Sequence, residues 1–473
     1  MLLGLTVGVH EVAVEVAPEV AVVELRLDGV EVGRMVGPPW RLGLDFGREL
    51  QPQRLTATAR DAGGSVVGEA EQIVNLRPGL ARTSLVFERN AAGRAAAVRV
   101  IPHSPTGSAV EVATVTLEGV ALAVDDSGRA ELPAAEGATP RFVAAEVVFA
   151  DQTTARAEAV FGGVFGEEVV SELTAVPLDA PGRAPALETL DQHLRVGGSP
   201  PRIAAVEEGP VELVAVVDRS AWPHLRSWGQ ELASRLRVSS RGLPRRGEDG
   251  EVVQRWERLP EATRREGALR PGDRLSFVRP SPEPIAAVGG DAGVDPALLH
   301  RTRPTGDESG GLHWQLATIR LPDSGRPQAL ADAVAAAGRW AAESGRRRAV
   351  LLVLGPWPDD ASAFEVAAVR RFLGRLRVPL VVWYVERAGQ GRAQRDARDE
   401  KRAAVAAAWG PLNDDVAGVG DLLAACRGLR DLVDRQRVAW VEGAWLPGEV
   451  TLATGETGLS LAGAAAPVAP DAR

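Results

Sequence analysis

From residue 211 to residue 217 the chain runs through seven residues, of which only Glu212 is polar, and ends abruptly in Asp218, Arg219 and Ser220. An apolar run of this length, followed at once by a helical pattern from Trp222, reads as a central parallel strand of an α/β domain, buried on both faces. The carboxyl end of such a strand is where open α/β sheets place their sites. Asp218 and Ser220 therefore stand at the position in this chain where chemistry or recognition is expected.

The residues around that strand agree with it. Further strand-like runs fall at 275–278, 349–354 and 380–384, and they alternate with helical patterns at 330–343, 361–376, 395–409 and 422–433. Strand–helix alternation implies a parallel sheet covered by helices on both faces. The chain has 473 residues, too many for one core, since single cores seldom grow past about 250 residues. Its 54 basic and 63 acidic side chains leave a net charge of −9 with no basic stripe, so nucleic acid is not an expected partner. No window approaches the roughly 18 uncharged apolar residues of a membrane-spanning helix. The single cysteine, Cys426, excludes an internal disulfide and a thiol-rich metal site. It falls on an apolar helix face with Leu422, Leu423 and Leu429, as a buried thiol does.

The first 180 residues carry a different texture, of short alternating runs broken by turn signals about every ten residues, the pattern of β-sandwiches. Val23, Leu25 and Leu27 share one face of a strand that ends in Asp28-Gly29, a hairpin signal because glycine supplies the positive φ of a tight turn. The device recurs 90 residues later, where Ala113 to Leu117 runs into Glu118-Gly119. The expected organisation is a sandwich over 1–86, a second over 87–180, a linker over 181–206, an α/β domain over 207–436, a β extension over 437–462 and a disordered tail over 463–473. Trp440 and Trp445 are expected to pin the β extension to its neighbours, and Trp40 to fill the first sandwich.

The segment 10–78, with its Asp-Gly hairpin, Pro38-Pro39-Trp40 and the strand end Ala59 to Gly64, resembles bacterial immunoglobulin-like domains. Four blocks further on, 211–220, 269–277, 328–333 and 346–354, resemble in that order a von Willebrand factor A (VWFA) domain, closest to the VWFA-related group of acidobacteria. The implied fold class is two all-β immunoglobulin-like sandwiches followed by a doubly wound, Rossmann-like α/β domain with a short β extension. The resemblance also implies a metal-ion-dependent adhesion site built from an Asp-x-Ser-x-Ser loop, a threonine and a third-loop aspartate, which hold Mg²⁺ or a similar ion. Asp218 and Ser220 match the first two positions. Trp222 stands at the second serine, Gln328 at the threonine and Pro356 at the aspartate. A proline has no side-chain oxygen and an indole only an N–H, so the expected site is degenerate and no cofactor is expected. On this reading Asp218 and Ser220 cap the following helix, while Asp359 and Asp360 are the acids nearest to hand in the third loop.

No nucleophile elbow, dinucleotide fingerprint or phosphate loop occurs, and the six histidines are scattered. The expected function is non-catalytic protein binding or scaffolding through the rim carrying Trp222, His224, Gln328 and Trp357, where the two tryptophans either plug the site together or stand exposed. The resemblance places such a protein in the periplasm or outside the cell. Two alternatives stay open: a Mg²⁺- or Mn²⁺-dependent adhesion module using Asp218 and Ser220, and a hydrolase without a recognised motif.

Overall fold

A computed structural model of the protein describes residues 5–76, 82–90, 94–104, 108–133, 141–150, 154–162, 169–170, 172–180, 190, 192–235, 269–270, 272–281, 283–284, 297–299, 302, 311–319, 327–389, 391–453 and 459–463. The Gly- and Arg-rich stretch 239–251, most of the Gly-, Asp- and Pro-rich stretch 289–311, and the tail from 464 lie outside them.

The first module pairs β1 (Val9–Ala13) with β4 (Arg41–Asp45), and sets against them a sheet of β2 (Val22–Leu27), β3 (Val30–Val36), β5 (Gln53–Arg60) and β6 (Val66–Val74) in the order β3-β2-β5-β6. Val23 and Leu25 from β2 meet Leu44 from β4 and Leu55 from β5 in one core, with Trp40 packed at its margin. The β2–β3 turn has positive φ at both Asp28 and Gly29, 50° and 80°, the twist that matches a two-residue hairpin to its strands.

The second module repeats the scheme. The strands β7 (Arg82–Arg89), β8 (Ala95–His103) and β11 (Arg129–Glu131) form one sheet; β9 (Val110–Leu117), β10 (Val120–Leu122), β12 (Arg141–Phe149), β13 (Thr154–Phe161) and β14 (Val169–Val170) form the other. Its β9–β10 turn again has two positive φ values, 50° at Glu118 and 78° at Gly119, so the recurrence seen in sequence is a recurrence of one turn type. The expected boundary at 86/87 cuts through β7, which pairs with β8 and belongs to this module.

A third β layer follows. It is built from β15 (Leu173–Asp179), β16 (Leu194–Val196) and β17 (Ile203–Glu207) together with strands from the far end of the chain. In it, β25 (Gln436–Glu442) lies between β17 and β15, β27 (Ser460–Leu461) flanks β15, and β26 (Val450–Leu452) pairs with β16. The stretch expected as a linker thus contributes two strands, and the expected extension completes their layer. Trp440 of β25 stacks on Phe142 of β12 at 4.9 Å, with the Arg156 guanidinium 5.5 Å from its ring, which ties this layer to the second module.

Between β17 and β25 the chain makes the α/β domain. Its sheet is wholly parallel: β18 (Val211–Val217), β19 (Arg274–Val278), β22 (Arg347–Leu354), β23 (Leu380–Val385) and β24 (Asp414–Val416), ordered β19-β18-β22-β23-β24. A two-stranded ribbon, β20 (Glu283–Pro284) with β21 (Ala297–Leu298), lies in the connection after β19. Every residue of β18 and β22 is buried. Val214, Val216, Val350 and Leu352 face α3 (Leu330–Glu343), α4 (Val366–Arg375) and α5 (Arg392–Trp409). Leu213, Ala215, Leu351 and Val353 face α1 (Trp222–Arg235), α2 (Leu312–Thr318) and α6 (Val419–Asp434). Cys426 sits in that second layer, where burial pushes its thiol pKa well up. The alanine-rich α3 lies close enough to α4 that a Cβ on Gly338 would come within 2.8 Å of Leu373; small residues are what such a central helix needs.

Candidate functional site

The strand order reverses at β18, so β18 and β22 leave the sheet in a crevice between diverging connections, the position at which doubly wound folds carry their sites. Three loops converge there: 218–221 after β18, 327–329 before α3, and 355–364 between β22 and α4.

Asp218 is wholly buried. Its carboxylate accepts the Gly355 N–H at 2.9 Å, the Gln328 Nε2 at 2.8 Å and the Ser220 hydroxyl. The Ser220 Oγ in turn accepts the Trp357 N–H at 3.1 Å. These side chains were expected to cap the next helix; they instead cross-link the first loop to the third. Gly355 is the residue that permits it. A Cβ there would lie 2.3 Å from both the Ser220 carbonyl carbon and its Oγ, and 2.4 Å from the Ala221 nitrogen, so only glycine brings the two backbones this close.

Gln328 is also buried. Its oxygen accepts the Arg219 N–H at 2.9 Å, and its amide nitrogen reaches Asp218 and, at 2.5 Å, the Asp359 Oδ1. The Arg219 guanidinium closes the circuit on Asp359 Oδ2 at 3.1 Å. Partial burial pushes the Asp359 pKa up, but the Gln328 hydrogen bond and the Arg219 charge outweigh it and leave it below the usual carboxylate range. Asp360 is used differently: its oxygens accept the N–H groups of Leu330 and Ala331 at 2.9 and 3.3 Å, and Ser362 Oγ accepts that of Asp332 at 3.0 Å. The third loop thus caps the free N–H groups of α3. Asp332 returns the favour to Ala363 and Phe364 at 3.1 and 3.0 Å.

The rim residues separate. Trp222 is partly buried, donates its indole N–H to the Ile319 carbonyl at 2.6 Å and has Arg226 beside its ring at 5.3 Å. Trp357 is 69% exposed, with the Lys401 ammonium 4.2 Å from its ring centroid. The two tryptophans therefore have separate partners, and the one on the third loop stands in water. His224 lies near Trp228, ring centroids 6.2 Å apart; burial lowers its pKa, against the pull of Glu386. Lys401 is held by Glu386 at 2.8 Å, and Glu386 also accepts the Tyr384 hydroxyl.

As placed, these residues do not fit a divalent ion. Mg²⁺ demands near-octahedral oxygen donors at about 2.0–2.1 Å, whereas both Asp218 oxygens are bonded and the gap between Asp218 and Asp359 holds an amide nitrogen. Among the described residues, no group of three or more His, Cys, Asp or Glu is arranged to hold a metal. The structure brings Asp218, Ser220 and Gln328 together, the three residues that the resemblance aligned with one site. Sequence reading missed the parts of Arg219 and Gly355, though a glycine directly after a buried strand is the kind of signal that marks a close approach.

No protein-family model matches the chain, and no curated protein does. Among solved structures, the chain is similar to the fibronectin(III)-like modules of Clostridium thermocellum CbhA, at 10% identity over 33% of this chain and 85% of that one, with a TM-score of 0.15. It is similar to the central fibronectin-III array of RIM-binding protein, at 12% identity over 41% and 76%, TM-score 0.20. A third likeness is to the Bacteroides ovatus glucan-utilisation protein SGBP-B in complex with a mixed-linkage heptasaccharide, at 13% identity over 43% and 52%, TM-score 0.12. At TM-scores this low the likenesses carry no argument, and the chain's own strand pairing and contacts define its fold and site.

Proposed function

We propose that the protein is a non-catalytic binding or scaffolding protein whose α/β domain recognises a protein partner through the rim of Trp222, His224, Gln328 and Trp357, without a divalent ion. On this reading the domain is a VWFA-like one with a degenerate adhesion site, carried on immunoglobulin-like modules in the periplasm or outside the cell. The observation that carries it is Trp357. A large apolar side chain is held out in water, anchored by its own N–H on Ser220 and by Lys401 over its ring. Tryptophan is a preferred anchor of protein interfaces, and a side chain already fixed loses less entropy on binding.

The test compares wild type with Trp357→Ala, each immobilised and used to capture partners from an extract of the source cells, in EDTA and in Mg²⁺. Trp357→Ala is expected to fold normally, with a stability change within about 0.5 kcal/mol as for other surface substitutions. A protein retained by wild type in both buffers and lost by the variant supports the reading. A partner lost in EDTA restores the metal-dependent alternative, and identical capture by the variant moves recognition off this rim.

A further inference from the structure

We infer that the Gln328 carboxamide does the work of a cation at this position, holding the crevice in one fixed state that divalent ions do not alter. Two carboxylates, Asp218 and Asp359, converge on one point, and like charges brought together repel unless something positive lies between them. That point is taken by the Gln328 Nε2, 2.8 Å from Asp218 and 2.5 Å from Asp359. A carboxamide nitrogen carries two hydrogens, and here each is given to a different carboxylate.

Which end of the amide faces the acids is decided by its other end. The Arg219 backbone N–H points at the Gln328 oxygen from 2.9 Å, and two donors would clash if the group were turned over. The backbone that carries this side chain is held as well, because the Ala361 N–H donates to the main-chain carbonyl of Gln328 at 2.7 Å and the Ala329 N–H to that of Pro280 at 2.7 Å. On the far side of Asp218, Gly355 abuts Ser220 so closely that not even a methyl group fits. On that side the other Asp218 oxygen already accepts the Gly355 N–H and the Ser220 hydroxyl, and on the near side the Gln328 nitrogen fills the position.

A metal can leave and return, and a face built around it changes when it does. A side chain cannot leave. The inference concerns how the crevice is held, whatever docks on the rim, so it stands or falls separately from the recognition reading above.

The experiment is a thermal melt of the full chain in EDTA and in about 5 mM MgCl₂, MnCl₂ or CaCl₂, since an ion bound only by the folded state must raise the midpoint. Wild type is expected to melt at the same temperature in all four. Gln328→Glu removes the bridging donor and adds a third carboxylate. It is expected to melt roughly 5 °C or more lower in EDTA and to recover in Mn²⁺, with a bound-Mn²⁺ signal by electron paramagnetic resonance. Gln328→Leu should fall as far without recovering in any ion. Wild type stabilised by an ion, with the gain lost in Asp218→Asn, would overturn the inference. So would a Gln328→Glu protein that melts like wild type in EDTA, or one that falls and gains nothing from any ion. The wild-type comparison decides on its own if a variant fails to fold.

Discussion

Asp359 shows how one residue can report on the whole crevice. It is about half exposed, yet Gln328 and the Arg219 guanidinium hold its pKa down. A carboxyl whose folded pKa lies below its unfolded value, near 3.9, adds stability that is complete above that pH and lost as pH falls through the folded value. The third loop is therefore expected to loosen in acid below about pH 4, seen as a change in Trp357 emission and in hydrogen exchange over 355–364. In Asp359→Asn the same segment should already be looser at neutral pH and show no acid step. An acid step of equal size in that variant would mean that another group opens the loop. Of these contacts, the meeting of Asp218, Ser220 and Gln328 was legible only through the resemblance that aligned the three with one site. The direction of the Gln328 amide and the separate tasks of Asp359 and Asp360 were not legible, since each depends on ångström-scale placement that residue types do not encode.

At the scale of elements, four of the five strands of the parallel sheet were readable from apolar periodicity alone, and β18, β22 and β23 stand within a residue or two of where the sequence puts them. The short β24 and α2 were not read, and α4 begins at Val366 rather than 361. The pairing of β15 with β25 was not readable, because its partners lie some 260 residues apart and neither strand carries a mark of the other. What joins these layers is polar. Gln436 mimics a strand, giving and accepting hydrogen bonds of 2.9 Å with the backbone of Arg348. Arg348, wholly buried with its pKa drawn down to about 9 by desolvation, donates to the Ala342 and Leu376 carbonyls at 2.8 and 3.1 Å, at the negative ends of α3 and α4. Glu146 on β12 reaches across to both Arg274 on β19 and Arg346 ahead of β22. Burial alone would raise its pKa, but the arginines, Arg346 foremost, bring it below the usual range. Removing one member of a buried ionic set leaves the others uncompensated, so Glu146→Ala is expected to cost about 3–5 kcal/mol in urea unfolding. A loss below 1 kcal/mol would mean that the module and the domain are held by apolar contacts only.

Across the whole molecule, the first module is not a pendant. Leu5, Leu50 and Leu76 are buried in the same cluster as α3 and α4, and Arg375 of α4 pairs with Glu49 at 2.5 Å and Gln51 at 2.6 Å. Asn75 braces the junction, accepting the Thr6 N–H at 2.6 Å and donating to the Thr6 and Gln51 carbonyls. Leu50→Ala should thus cost about 2–5 kcal/mol, as core truncations do. Because Leu50 sits at a shared boundary, it should also split a single calorimetric transition into two. A variant that merely lowers one transition would show that module and domain unfold as one unit even when their contact is weakened. Nothing in the sequence marked this docking, since an apolar residue at the base of a sandwich looks the same whether it faces its own core or a neighbour's.

The α/β domain leaves from β17 and returns into β25, which are antiparallel neighbours, with Glu207 opposite Val438. Adjacent strands lie about 4.8 Å apart, so the two stems of the domain stand as close as the two sides of a hairpin. In topological terms the whole domain, crevice and rim included, is the loop of that hairpin. It could be cut out and replaced by a two-residue turn without interrupting a strand of the layer beneath, or exchanged for another domain with equally close ends. The two are thus separable along the chain but joined across their surfaces, and an exchanged domain would have to offer new cover to Leu5, Leu50 and Leu76 and new partners to Glu146.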